Sequence, residues 1–266
     1  MALRPMVMGI VNVTPDSFFE AARTQATADA IARGRELFAA GVDVVDIGGE
    51  STRPGAVDVD EDEELRRVVP VLEALRGVGA LSIDTQKARV AKAGVEAGAT
   101  IINDVSSTLM EVAGRLNVGY VAMHRKGTPA TMQKSPTYDD VVSEVLAFLR
   151  DAAHRSRNAG VGELWLDPGI GFGKTLEHNV TLLAATDQAV ALANKFDAGV
   201  LLGTSRKRFL GDLGESFLDV DERLEGSIAS EAWAFLYGAN MVRVHDAQAA
   251  VQLRELFWHD VEAVTS

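Results

Sequence analysis

The 266-residue chain has no cysteine, which excludes disulfides and thiolate metal sites and suits a reducing compartment. It also lacks any apolar run approaching the roughly 20 residues of a membrane-spanning helix, so no membrane partner is expected. The N-terminus, MALRPMVMGIVNV, enters a strand within a few residues and carries no cleavable signal pattern, which makes the cytoplasm the expected location. An excess of positive charge is missing too: 26 Lys and Arg stand against 38 Asp and Glu, a formal charge of -12. Phosphate backbones need a dominant basic face, so nucleic acid is excluded as a partner. No linker, low-complexity tract or short repeat divides the chain. Its length and 47% hydrophobic residues suit one large domain over residues 1–266.

What the chain does have is a register. Short β-branched runs stop on polar residues at Asn12, Glu50 and Ser51, Asp84, Asn103 and Asp104, His124, Asp167, Ser205, and Arg243 with His245. Between the stops lie alanine-rich stretches of helical spacing, at Ala28–Ala40, Glu61–Gly77, Lys87–Gly98, Tyr138–Gly160, Leu176–Lys195, Arg223–Gly238 and Ala247–Val264. Alternating strand and helix, repeated eight times in such a length, predicts an α/β fold closed as a (β/α)8 TIM barrel. That fold gathers the C-terminal strand ends into one pit, so the polar stops form one expected site. Two long polar connections, from Phe18 to about Thr27 and from Arg53 to Asp60, are expected as lids over it. Arg53, Arg125, Lys126, Arg206, Lys207, Arg208, Arg243 and His245 all follow predicted strands, so an acidic body with a cationic mouth would draw in an anionic small molecule.

Each stop also has a structural reading. Asp84 could cap the next helix, but Thr85 would serve equally well and free Asp84 for the pit. Asn103 offers a donor and an acceptor suited to a heterocycle edge, or it is a turn residue. In LDPGIGFGKT, Asp167 ends a strand and three glycines allow close backbone approach. A Walker A loop would require glycine where Pro168 stands, and a dinucleotide fingerprint glycine where Lys174 stands, so this is no standard phosphate cradle. In GTSRKRFLG, Ser205, Arg206 and Lys207 cluster a hydroxyl, a guanidinium and an ammonium, which favours anion recognition or stabilisation of negative charge; the alternative is a solvated basic turn. In VRVHD, strand alternation points Arg243 and His245 the same way, a diphosphate clasp. His124 reads as a packed core histidine. No H-E-x-x-H or close histidine pair occurs, so any cation would be a hard one held by oxygens and phosphates.

The ordered set MGIVNVTPDSF, VDIGGESTRPGA, SIDT, IINDVSS, DPGIGFGKT, TSRKRFLG and RVHD resembles dihydropteroate synthase, from Met8 to about Asp246. The resemblance implies a (β/α)8 barrel, a homodimer, Mg2+, and condensation of p-aminobenzoate with a dihydropterin diphosphate ester to give dihydropteroate and pyrophosphate. It places Asp84, Asn103, Met123, Asp167 and Lys207 around the pterin. Asn12, Arg243 and His245 would hold the diphosphate, with Asn12 near the metal. Phe18, Thr52, Arg53, Pro54, Phe172 and Arg208 would form the aminobenzoate pocket, and the catalytic work would fall to Asp84, Lys207 and Glu20. Where the family usually reads Ser-Asp-Gly-Gly, this chain has Phe19-Glu20-Ala21-Ala22. That resembles the loop of sulfonamide-resistant variants and implies altered sulfonamide sensitivity. The alternatives are a pterin-binding methyltransferase module, which the Ser205-Arg206-Lys207 and Arg243/His245 set disfavours, and a catalytically silent paralogue.

Overall fold

The computed structural model describes residues 4–13, 20–51, 58–128, 131–132, 136–214 and 216–265, with the backbone alone for residues 20–24 and 259–265. Eight parallel strands close in sequence order into one barrel: β1 (Met6–Asn12), β2 (Val44–Gly48), β3 (Ala80–Asp84), β4 (Ile101–Asp104), β5 (Gly119–Met123), β6 (Leu164–Asp167), β7 (Gly199–Leu202) and β8 (Met241–Val244). The expected fold is the observed one. Strand alternation splits the apolar residues into two sets. Val45, Ile47, Leu81, Ile83, Ile102, Tyr120, Leu166, Val242 and Val244 pack outward against the helices. Met8, Val44, Ile101, Val121, Leu201 and Met241 pack on one another inside the barrel. Above that apolar floor, two residues further along the same strands, the inward positions turn polar: Asp46 after Val44, Asn103 after Ile101, Arg243 after Met241.

The helices are α1 (Glu20–Ala39), α2 (Glu61–Leu75), α3 (Ala88–Ala97), α4 (Met110–Leu116), α5 (Val141–Asn158), α6 (Leu176–Ala184), α7 (Thr186–Asn194), α8 (Arg208–Gly211), α9 (Leu224–Leu236) and α10 (Ala247–Thr265). Two differ from expectation. The connection predicted from Phe18 to about Thr27 is largely helical, because α1 begins at Glu20. Its EAARTQA start contains neither glycine nor proline and favours helix, and Gln25 Nε2 donates to Asp29 Oδ1 one turn later at 2.6 Å. The single helix predicted over Leu176–Lys195 is broken at Ala185. There the Leu183 carbonyl accepts from Thr186 Oγ1 (2.7 Å) and Trp233 Nε1 (3.0 Å), both side-chain donors that compete with the helical ladder. Helices α4 and α8, each under eight residues, had no periodicity long enough to announce them.

Candidate active site

Asp84 ends β3 and does not cap α3: Thr85 Oγ1 accepts the Lys87 amide at 3.2 Å, and α3 has no side-chain cap. Instead Asp84 Oδ2 accepts from Arg243 Nη2 at 2.7 Å. The same guanidinium donates through Nε to Asp46 Oδ2 at 2.6 Å, and that oxygen also accepts from Asn103 Nδ2 at 2.9 Å. Asp46, Asp84, Asn103 and Arg243 thus form one network drawn from β2, β3, β4 and β8, fully buried at Asp46 and partly open at Arg243. Burial raises the Asp84 pKa to about 7 against the pull of Arg243, and the carboxylates of Asp46, Glu64 and Asp104 add to the rise. Arg243 is held firmly charged: burial works against its proton, but Asp46 and Asp84 outweigh it.

Asp46 was not among the predicted site residues. It is fully buried, and its Oδ1 has no partner among the described residues. Its sequence signal was present: a charge in the middle of the apolar run VVDIG, at an inward position, has no reason to be there except a partner in the barrel. Attention to strand ends passed over it.

On the opposite wall, Asp167 ends β6 beside Met123, the last residue of β5. Its Oδ1 accepts the Gly169 amide at 2.7 Å, and burial raises its pKa against the attraction of Lys207. Lys207 Nζ donates to the Ile170 carbonyl and lies 4.6 Å from the centroid of the Phe172 ring. Burial lowers the Lys207 pKa to about 8, opposed by Asp167 and reinforced by Arg243. The DPGIGFGK turn that brings these groups together requires glycine. A Cβ on Gly169 (φ 69°) would stand 1.8 Å from the His124 carbonyl oxygen, and one on Gly173 (φ 66°) 2.2 Å from that of Lys126.

Several predicted residues stand elsewhere. Asp104 alternates away from Asn103 and accepts from the amides of Ser106, Thr108 and Leu109 and from the Ser106 and Tyr120 hydroxyls, the work of a buried cap. His124 is a packed histidine as expected, edge-on to Phe148 with ring centroids 5.0 Å apart. Arg206 does not face the pit: it makes a two-pronged pair with Asp246 at 2.8 and 2.6 Å. Arg208 points outward, its side chain 79% exposed and 3.6 Å from Asp212. The physical reason is local: Arg206 sits in a left-handed turn (φ 56°) before α8, Lys207 is extended at its N-cap, and Arg208 opens the helix, so the three side chains leave the chain in different directions. His245 lies beside Ser205, whose Oγ accepts the His245 amide at 3.1 Å. Asn12 ends β1, paired with Gly48 of β2, with its side chain open to the rim. Glu20 is the first residue of α1. Phe18, Thr52, Arg53 and Pro54 lie outside the described residues, as does Phe19. Glu50 fixes the exit of that second connection: it accepts the Val59 amide at 2.9 Å and pairs with Lys87 at 2.8 Å.

Comparison with known proteins agrees with this geometry. Residues 8–245 match the family described as pterin binding enzyme. The chain is 42% identical over 258 residues to the dihydropteroate synthase of Escherichia coli K12, covering 93% of this chain and 89% of that one. It is 41% identical to that of Mycobacterium leprae, covering 94% and 92%. Among solved structures, the Xanthomonas albilineans dihydropteroate synthase with 4-aminobenzoic acid superposes with a TM-score of 0.87 at 43% identity, covering 98% of this chain and 94% of that one. The Yersinia pestis enzyme in a sulfonamide complex gives 0.88 at 40%, covering 97% and 95%. The chain belongs to the dihydropteroate synthases, within the pterin-binding enzyme family.

Proposed function

We propose that the pit joins p-aminobenzoate to the diphosphate ester of 6-hydroxymethyl-7,8-dihydropterin, releasing pyrophosphate and forming 7,8-dihydropteroate. The observation that carries this reading is the largely buried carboxylate of Asp84, locked to Arg243, with Asn103 beside it and Met123, Asp167 and Lys207 on the opposite wall. In the reaction the methylene C–O bond breaks and its electron pair leaves with pyrophosphate. A cation delocalised over the dihydropterin remains, and the arylamine nitrogen attacks it and then loses a proton. No side-chain nucleophile is needed. Asp84, Asn103 and Asp167 present acceptors and donors to the pterin edge, and a carboxylate in a dry pit stabilises developing positive charge. Lys207 and the Phe172 ring flank the place where the arylamine enters, and Arg243 with His245 receives the diphosphate. Glu20 would act from the start of α1, and Thr52, Arg53 and Pro54 with Phe18 would complete the aminobenzoate pocket; Arg208, turned outward, would have to swing in to join them.

Magnesium would come with the diphosphate. Among the described residues no three His, Asp or Glu side chains converge on a point, so the protein's share of the shell rests on the Asn12 amide oxygen. This suits an ion that keeps its waters and binds mainly through substrate phosphates. When bound, it withdraws charge from the leaving pyrophosphate.

The same reading includes a homodimer and a cytoplasmic location. Support for the dimer comes from an exposed apolar strip over three adjoining helices: Val180 on α6, Trp233 and Leu236 on α9, and Leu256 on α10. No helix among the described residues is long and apolar enough to cross a membrane. The loop reading also stands as a proposal: Ala21 and Ala22, in place of a glycine pair, already belong to α1, which stiffens the segment after Phe19 and alters sulfonamide sensitivity. Equal sulfonamide inhibition constants for the wild type and Phe19→Ser would remove that proposal.

The deciding experiment is pyrophosphate release from the dihydropterin diphosphate in magnesium, with and without p-aminobenzoate. Arylamine-dependent release with dihydropteroate as product supports the synthase reading. Binding without turnover would point instead to a silent paralogue.

A further inference from the structure

Lys174 closes the DPGIGFGK turn and is 2% exposed. A lysine so deeply buried needs every N–H satisfied. Its Nζ donates to His124 Nδ1 at 2.9 Å, to the Gly169 carbonyl at 2.8 Å and to the Phe172 carbonyl at 3.1 Å. That is the full donor capacity of an ammonium. The acceptor just past the end of β5 is a neutral imidazole: burial first, then the charges of Lys174 and Lys126, hold the His124 pKa down to about 3. Its own ring proton therefore sits on Nε2.

The same turn has a second cation on its other side. Lys207 Nζ donates to the carbonyl of Ile170, between the two carbonyls held by Lys174, and sits over the Phe172 ring. Asn179 Oδ1 fixes the Gly171 amide at 2.7 Å. The turn is thus wrapped around one ammonium and presents a carbonyl and a ring to another. We propose that Lys174 is a positioning residue, whose buried ammonium sets the turn that holds Lys207 and Phe172 in the pit. The inference rests on the proposed roles of Lys207 and Phe172.

The charged and titratable groups facing Lys174 are His124 just after β5, Asp167 at the end of β6, Lys126 in the connection after β5, and Lys207 at the start of α8. Burial dominates, Asp167 opposes it, and the two lysines add to it, bringing the Lys174 pKa down to about 7. A neutral amine has two N–H groups for three acceptors, so the turn loses one tether as pH rises through that value.

The test is steady-state kinetics across pH 6–9 for the wild type, Lys174→Met, Lys174→Arg and Lys207→Met. The expected result for Lys174→Met is a fall of about tenfold or more in kcat/KM for p-aminobenzoate at pH 6.5, measured well below its melting temperature, with its decline near pH 7 abolished. Asp84, also pushed up to about 7, titrates alike in both enzymes, so the reading is the difference between their profiles: in Lys174→Arg, whose charge persists, the decline should move from near pH 7 to near pH 8, where Lys207 loses its proton. If Lys174→Met does not fold, the Lys174→Arg profile decides alone. Wild-type kinetics in Lys174→Met, or an unmoved decline in Lys174→Arg, overturns the inference. Loss of thermal stability with unchanged kinetics would overturn it equally, since a purely structural lysine predicts that result. The parallel Lys207→Met variant separates the two readings: if it turns over normally, the assignment of Lys207 has failed, whatever Lys174 does.

Discussion

Burial pushes the Asp84 carboxyl up to about 7 from an ordinary 3.8, and this single shift ties stability to chemistry. Between those two values the folded chain holds the proton that the unfolded chain releases. Stability therefore falls as pH rises from about 4 to about 7 and stays reduced above that range. Asp84→Asn keeps an acceptor for Arg243 and removes the titration. It should abolish dihydropteroate formation while melting at or above the wild-type temperature at pH 8, with the advantage shrinking toward pH 4. Calorimetric melting curves over that range check it, and a pH-independent gap would mean Asp84 is not the titrating group. Asp46 marks a limit of reading residues one at a time. It lies inside the motif VDIGGESTRPGA without being given a role there, and only closure of the barrel set it against Arg243, a residue 197 positions away.

At the scale of elements, the two ends of the barrel do different work. The C-terminal ends carry the pit; the N-terminal ends are tied for stability. Arg254 on α10, 3% exposed, donates to the Gly41 carbonyl at 3.0 Å and to Asp43 Oδ2 at 2.6 Å. Asp43 Oδ2 in turn accepts the Val7 amide at the start of β1 at 2.8 Å. Breaking one side of a buried pair costs about 3–5 kcal/mol. That figure is an upper bound here, because Asp43 keeps Arg4 and the Val7 amide. Arg254→Met should lower the urea midpoint with kcat/KM unchanged, and a change in kcat/KM without loss of stability would show that the two ends are coupled. The alanine-rich start of α1 belongs to this scale as well. Its EAARTQA stretch, free of glycine and proline, is helix where a connection was expected, in line with its propensity.

For the molecule as a whole, the acidic body and the buried cations of the pit are consistent with an anionic substrate drawn to one mouth, although fewer cations line it than the sequence suggested, since Arg206 and Arg208 turn elsewhere. The apolar strip on α6, α9 and α10 lies on the outer helices, where a second copy can cover it without blocking the strand ends. If the proposed dimer forms through this strip, Trp233→Asp with Leu236→Asp should shift sedimentation from dimer to monomer. A wild-type chain that sediments as a monomer at micromolar concentration would contradict the dimer.

The sequence by itself determined the alternation of strand and helix, the closed barrel, and the polar residues at or just past the ends of its strands, because period-2 and period-3.6 patterning are local properties of the chain. It also carried, in the ordered motifs, the identity of the pit. Tertiary structure decided the rest. Which of several neighbouring cations enters the pit depends on where α8 begins. The pairing of Asp46 with Asn103 and Arg243 depends on strand register, and the burial of Lys174 beneath its own loop on how that loop packs over His124. These are matters of distance between residues far apart in sequence, and burial then sets the charges the site works with.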